Sequence, residues 1–542
     1  MLDYPGGDGG GANGDGAVHE GETMLKKILT AALVPMALFI ALVSWGVSSP
    51  VGSSPDDDFH MASIWCGQGL REGLCEAGNT QAERRVPDTL TEYPACFAHY
   101  PERNASCPQK PSTTMTSTNR GNFSDGAYPP FYYAVMSVFA GESIATSILL
   151  MRAFNAFLFV SVVSSVYFLI PRSDRGPLVW GTLVSIVPLG MFLVPSVNPS
   201  SWAVISAATL WISLLGYYRA RGVRRRVALG GIATAMTLAG AGARSDAAVY
   251  GVLAMLVVAV LGFEKTRGFV LKSLLPLALA GLSVGLFFSA GQAAVLDPTA
   301  LARTTQDGIW ALTVTNLRLL PELWAGNLGT WGLGWLDTAL PGSVWVTMLA
   351  MYSALAFWGL QRLPWRKGIA LAMVFGSLIV VPMYILVHDQ IIVGSYVQPR
   401  YVFPLMILLA GVSLVGLGRG DVRLSRQQLM VLATLVSLAN AIALHINIRR
   451  YVTGLDVDKL DLNHNAEWWW VYPFSSISLF SPVGIWAVGT VSFATAAIAM
   501  VLILGVRKRG EESDFLTGVD VTETGSSNAI RQSAVQNTGV LR

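Results

Sequence analysis

Apolar runs of about twenty residues alternate with short polar turns along most of this chain. A helix rising 1.5 Å per residue crosses a hydrocarbon layer of about 30 Å in roughly 20 residues. Twelve runs meet that length: 28–47, 145–170, 177–195, 201–218, 227–243, 247–263, 270–290, 343–361, 368–387, 401–417, 428–446 and 482–506. The pattern predicts an all-α polytopic membrane protein. A further run, from Tyr128 to about Ala140, is too short to span and is expected to lie along the interface. Two long polar stretches, 48–144 and 291–342, read as loops on one side. Residues 1–24 are Gly-rich and polar, and 507–542 are rich in Ser, Thr, Gly and Asn. Neither composition supports a packed core, so both are expected to be disordered, leaving 25–506 as the membrane domain.

Composition agrees with this reading. The chain is 52% apolar and 13% charged, a balance that excludes an ordinary soluble domain. A net charge of +3, with Lys and Arg scattered among apolar segments, gives no nucleic-acid surface. No Gly-Lys-Ser/Thr nucleotide loop occurs. Met24-Leu25-Lys26-Lys27 looks like a second possible start, placing a positive flank before the first apolar run. With no small-x-small cleavage site after it, that run is expected to remain as a helix.

Basic residues mark one side of the membrane. Lys26-Lys27, Arg172/Arg175, Arg219 to Arg226, Lys265/Arg267/Lys272, Arg362/Arg366/Lys367, Arg419/Arg423/Arg426 and Arg507-Lys508-Arg509 all fall there. The positive-inside rule makes that side cytoplasmic and puts both termini inside. All four cysteines, Cys66, Cys75, Cys96 and Cys107, lie in the stretch assigned to the opposite side. An even number in one loop suggests two disulfides in an oxidising compartment. Proximity favours Cys66–Cys75 and Cys96–Cys107, although three pairings exist; a zinc site is the rival reading, and the spacings match no paired C-x-x-C pattern.

The polar motifs concentrate on that outer side. Pro55-Asp56-Asp57-Asp58-Phe59-His60 follows the first span directly. If a helix begins there, Asp56 and Asp57 share a face with His60. Carboxylates at a helix start cap free N–H groups; a carboxylate beside an imidazole can also take a hydroxyl proton or coordinate a divalent cation. Tyr128 opens Tyr128-Pro129-Pro130-Phe131-Tyr132-Tyr133, either an interfacial tyrosine cluster or the wall of a lipid-substrate groove. Asn198-Pro199-Ser200 reads as a turn. Arg244 in Arg244-Ser245-Asp246, and Arg400 before Tyr401, either snorkel or bind phosphate bidentately. Asp337, in the Gly-rich loop 332–338, is a cap or a site residue. Trp468-Trp469-Trp470 suits an aromatic belt better than a sugar platform. Arg152, Asn155, Asn440 and His445 are pocket candidates or interhelical hydrogen-bonders.

Taken in order, these motifs give a resemblance. The matching stretches are Pro55-Asp56-Asp57-x-x-His60, Tyr128-Pro129-Pro130-x-x-Tyr133, Asn198-Pro199-Ser200, Arg244-Ser245-Asp246, Gly334-Trp335-Leu336-Asp337-Thr338-x-x-Pro341 and Gln398-x-Arg400-Tyr401-x-x-Pro404. The chain resembles the bacterial membrane proteins of domain-of-unknown-function family 2142, which are similar in general plan to GT-C class glycosyltransferases. The family pattern has Asp-Glu where this chain has Asp56-Asp57, and the cysteine-rich stretch 66–107 is not carried by the resemblance. The resemblance implies a GT-C-like fold in the bacterial plasma membrane, with an acidic motif in the first outer loop and a polyprenyl-phosphate sugar donor. The expected reaction moves that sugar to an envelope glycan or lipid acceptor. Asp56 or Asp57 would serve as base, with His60 orienting the acids or binding a cation. Arg244 and Arg400 would face the leaving phosphate, and Asp246, Tyr401, Asp337, Tyr128 and Asn198 would line the substrate site. A flippase for lipid-linked glycans and a non-catalytic envelope-assembly protein are the alternatives. A flippase would place its polar residues at mid-membrane depth.

Overall fold

The computed structural model describes residues 14–105, 114–123, 126–291, 306–418, 422–457, 460–463 and 480–504. The first helix, α1, spans Gly14–Val47. A folded outer layer follows, comprising α2 (Asp57–Trp65), α3 (Glu92–Phe97) and α4 (Phe131–Met136). With them goes a small antiparallel sheet of β1 (Glu76–Ala77), β2 (Arg84–Pro87) and β3 (Met115–Thr118), in that order. The rest of the chain is a helical bundle. Its first half has α5 (Ile144–Leu169), α6 (Arg172–Ile186), α7 (Leu189–Leu193), α8 (Ser200–Arg219), α9 (Val223–Ala241), α10 (Ser245–Leu261) and α11 (Arg267–Phe288). Its second half has α12 (Gln306–Ala325), α13 (Gly342–Gly359), α14 (Trp365–His388), α15 (Pro399–Ser413), α16 (Arg426–Val452) and α17 (Pro482–Leu504).

Seven of these helices are long and apolar enough to cross a membrane: α5, α8, α11, α13, α14, α16 and α17. Three shorter apolar helices, Ala31–Val47, α10 and α15, add to them. Helices form at all twelve expected positions, but three expectations are corrected. Residues 14–24, expected to be disordered, continue α1 toward the N-terminus, while 1–13 and the tail 507–542 lie outside the described residues. The expected single span 177–195 divides into α6 and α7 around the cis peptide Val187–Pro188. The expected loop 291–342 contains α12. Asn316, Leu320 and Leu323 form its buried stripe, and Arg318 and Glu322 face outward. Those polar residues interrupt the apolar run and conceal the helix from a length-based reading.

Close packing fixes α15, which carries Arg400. A methyl group on Gly181 of α6 would meet the Gly411 Cα at 2.8 Å, and one on Gly411 would meet the Trp211 ring of α8 at 2.4 Å. Only glycine lets these backbones approach so closely. The segment between α1 and α2 is equally fixed. Arg152 of α5 donates to the carbonyls of Gly46 (2.8 Å), Ser49 and Pro50 (2.7 Å) and to Ser53 Oγ (3.3 Å). Asn447 of α16 donates to Ser48 Oγ and Ser49 Oγ, each at 2.9 Å. Trp335 Nε1 donates to the Gly52 carbonyl at 2.8 Å. Arg152, a pocket candidate by sequence, thus organises a loop. It satisfies carbonyls left over at the end of α1.

Candidate functional site

The acidic motif opens α2, but Asp56 does not cap it. Asp56 sits at the N-cap with φ 61° and ψ 18°, and its side chain makes no capping bond. That left-handed conformation is costly for a residue with a Cβ, although Asp tolerates it better than most. It turns the carboxylate away from α2 and toward α15. Asp56 Oδ2 accepts from Arg400 Nη2 at 2.5 Å, while Arg400 Nη1 donates to the Pro55 carbonyl at 3.1 Å. Asn198 Nδ2 donates to that same carbonyl at 2.8 Å, and Asn198 Oδ1 accepts from the Ser200 N–H. Asn198 is fully buried, so it positions the motif's backbone rather than facing a cavity.

Asp57 goes the other way. It is fully buried, its Oδ2 accepts from the Ser54 N–H at 3.0 Å, and its Oδ1 has no hydrogen-bond partner among the described residues. Burial pushes this carboxyl up to about 7, only partly opposed by the Ser54 N–H and the charge of Arg152. Burial also raises Asp56, but the charges of Arg400 and Arg120 override it, and the carboxyl is held below the usual carboxylate range. The side chain of Asp56 remains 37% exposed. Asp58 pairs with Arg120, Nε to Oδ2 at 2.5 Å, and the same guanidinium reaches Asp56 Oδ1 at 3.9 Å.

His60 is fully buried beside Asp56, one turn along α2, with Nδ1 2.9 Å from the Tyr133 hydroxyl of α4. Burial lowers its pKa to about 3, so the ring is neutral. Its ring centroid lies 5.2 Å from that of Tyr128. Tyr132 and Tyr133 are likewise buried; Tyr132 donates to the Val197 carbonyl and packs on Trp202 of α8, while Tyr133 meets His60.

Arg244 arrives at the N-cap of α10 and is nearly buried. Its Nε and Nη2 contact both oxygens of Asp246, at 2.9 and 2.7 Å, and its Nη1 lies 3.4 Å from Ser200 Oγ at the start of α8. The guanidinium stands 4.9 Å from the Tyr401 ring and 5.8 Å from the Tyr128 ring, and Arg400 stands 5.2 Å from Tyr401 on its own helix. Two arginines therefore share one aromatic ring. The helix starts of α8, α10 and α15 meet there, and helix N-termini carry partial positive charge.

Asp56, Asp57, His60, Tyr128, Asn198, Arg244, Asp246, Arg400 and Tyr401 thus converge within a network of contacts. Asp337 belongs to a different one. Its Oδ2 accepts from Arg450 Nη2 at 2.7 Å and from the His99 N–H at 3.1 Å. Arg450 also donates to the carbonyls of Phe97 and Arg103, clamping the outer layer to α16. Asn155 bridges Ser196 and Trp202, Asn440 accepts from Trp45, and His445 meets the Leu460 carbonyl. Sequence reasoning missed Arg120 and Arg450, because nothing in their local surroundings distinguishes them from ordinary surface and helix-end arginines. Cys66 and Cys75 form a disulfide; Cys96 is also disulfide-bonded, and Cys107 lies outside the described residues, as do Trp468–Trp470. Among the described residues, no group of three or more His, Cys, Asp or Glu side chains is placed to hold a metal ion.

An acidic motif ordered by buried arginines beneath a membrane bundle, with its order of motifs along the chain, defines a class of polytopic membrane protein. The chain belongs to the predicted membrane protein family DUF2142, which matches residues 38–409. Comparison with curated proteins and with solved structures gives no match.

Proposed function

We propose that this protein is a GT-C-like glycosyltransferase, transferring a sugar from polyprenyl phosphate to an envelope glycan or lipid at the extracytoplasmic face. The observation that carries this reading is the partly exposed Asp56 carboxylate, held by buried Arg400, whose neighbour Tyr401 also lies beneath buried Arg244 where three helix N-termini meet. A base beside a positively charged anion site is what transfer from a phosphate leaving group requires. The proposal includes twelve spans, with both termini cytoplasmic.

Asp56 Oδ takes the proton of the acceptor hydroxyl as the acceptor oxygen attacks the anomeric carbon. The bond from that carbon to the phosphate oxygen breaks, and the electron pair leaves with polyprenyl phosphate. Arg400 and Arg244 face the charge that develops there, and Arg120, the most exposed of the three, supplies a third cation at the rim. One base and one displacement invert the anomeric centre. Asp57 is assigned a structural part, since its oxygens point into the loop and burial favours its neutral form. His60, locked neutral between Tyr133 and Tyr128, positions the acidic turn.

One observation favours the non-catalytic alternative: each buried arginine already has a carboxylate partner, Asp246 for Arg244 and Asp56 for Arg400. The deciding experiment incubates purified protein with labelled polyprenyl-phosphate sugars and envelope acceptors. Transfer that disappears in Asp56→Asn, with expression and membrane insertion intact, supports the enzyme. Undiminished transfer in that variant removes Asp56 as the base, and no transfer by the wild type across donors supports a scaffold.

A further inference from the structure

A second site lies at the other end of the bundle. Between α1, α5, α6 and α17 is a cavity of about 730 Å³, walled by Leu38, Phe159, Val163, Leu183, Phe493 and Ala497. That volume is in the range of small-molecule and cofactor pockets. Its position along α5 separates it from the acidic motif. Arg152, near the start of that helix, holds the loop below Asp56, whereas Phe159, Val163 and Tyr167 lead to the opposite end.

A cation stands at this far mouth. Arg175 lines the cavity and lies 4.5 Å from the Tyr167 ring, and its buried Nε has no hydrogen-bond partner among the described residues. The neighbouring acid does not neutralise it, because Asp174 is ion-paired with Arg219 of α8. Arg172 adds an exposed positive charge one turn away. A long apolar slot beneath a guanidinium matches an amphiphile with an anionic head. A polar metabolite would leave the slot walls unmatched, and a zwitterionic lipid would bring a quaternary ammonium close to the guanidinium along with its phosphate.

We infer that this groove binds an anionic glycerophospholipid, one acyl chain lying between α1, α5, α6 and α17 and the phosphate meeting Arg175. The leaflet is the one at this end of the bundle, which the charge rule makes cytoplasmic. The site is separate from the sugar-donor site proposed above, whose phosphate would lie at the opposite end.

The test is lipid retention, read by native mass spectrometry of full-length protein released from bilayers of equal phosphatidylglycerol and phosphatidylcholine. The wild type is expected to retain phosphatidylglycerol preferentially. Arg175→Gln should lower that preference roughly fivefold, the effect of one basic residue facing an anionic headgroup, while Arg175→Lys keeps it. Val163→Trp, which fills the slot, should reduce retention of both lipids. Equal retention of both lipids by the wild type, or the same preference in Arg175→Gln, would overturn the proposal. So would unchanged retention in Val163→Trp, or occupation of the groove by a second copy of the chain. Bound lipid is counted whether or not the protein transfers sugar, so failure here and failure of the transferase reading are separable.

Discussion

At Asp56 the backbone passes through φ 61°, and that rotation sends its carboxylate to Arg400 while the next carboxylate, of Asp57, returns to the Ser54 N–H. The two neighbours should therefore respond differently to the same change. Asp56→Asn is expected to lower transfer by about 10²–10⁴-fold, the usual range for a general base. Asp57→Asn should retain near-normal transfer below pH 7, since the native side chain already holds its proton there; assays of both variants across pH check this. Stability should follow two opposing titrations. Asp57, raised to about 7 from 3.8, favours the fold most at low pH, and that contribution is lost as pH climbs from about 4 through 7. His60, lowered to about 3 from 6.5, favours the fold above pH 6.5 and loses that contribution as pH falls toward 3. Between about pH 4 and 6.5 the two cancel, so melting temperatures measured in detergent should be level there and fall on either side; in Asp57→Asn they should instead rise up to about pH 6.5 and stay level above it. The sequence showed that an acidic turn follows the first span. It did not show which acid faces the solvent, because a local reading leaves capping and chemistry open for both, and a contact 344 residues away separates them.

Helices carry these side chains to one place, and the helices were largely legible because a membrane span must be long and apolar. What was not legible came from tertiary contacts. Nothing local in α6 announces that Gly181 faces Gly411, and α12 hides behind the polar residues on its outer face. Gly411→Leu should push α15 away from α6 and α8 and cost about 1–3 kcal/mol, as overpacking does; a lowered melting temperature with reduced transfer would show that α15 sets the position of Arg400. At the outer layer, Asp337→Asn leaves Arg450 without its buried counter-charge. It should cost about 3–5 kcal/mol, measurable as a drop in detergent melting temperature, while the chemistry of the Asp56 network is untouched.

At the scale of the whole molecule, the orientation proposed above can be tested directly. The described disulfide Cys66–Cys75 lies in the layer that the positive-inside rule sends outward. A membrane-impermeant maleimide should label Glu72→Cys in intact cells and Arg221→Cys only after lysis; the reverse pattern would invert the topology. The grip of Arg152 on the segment after α1 has a consequence for biosynthesis. Carbonyls at residues 46–50 wait about a hundred residues of translation for α5, and the turn at residue 55 waits for α15, made far later. The first polar motif to emerge from the ribosome is therefore among the last to reach its final shape. A nascent chain halted before residue 400 should display that motif to proteases, which the finished protein resists.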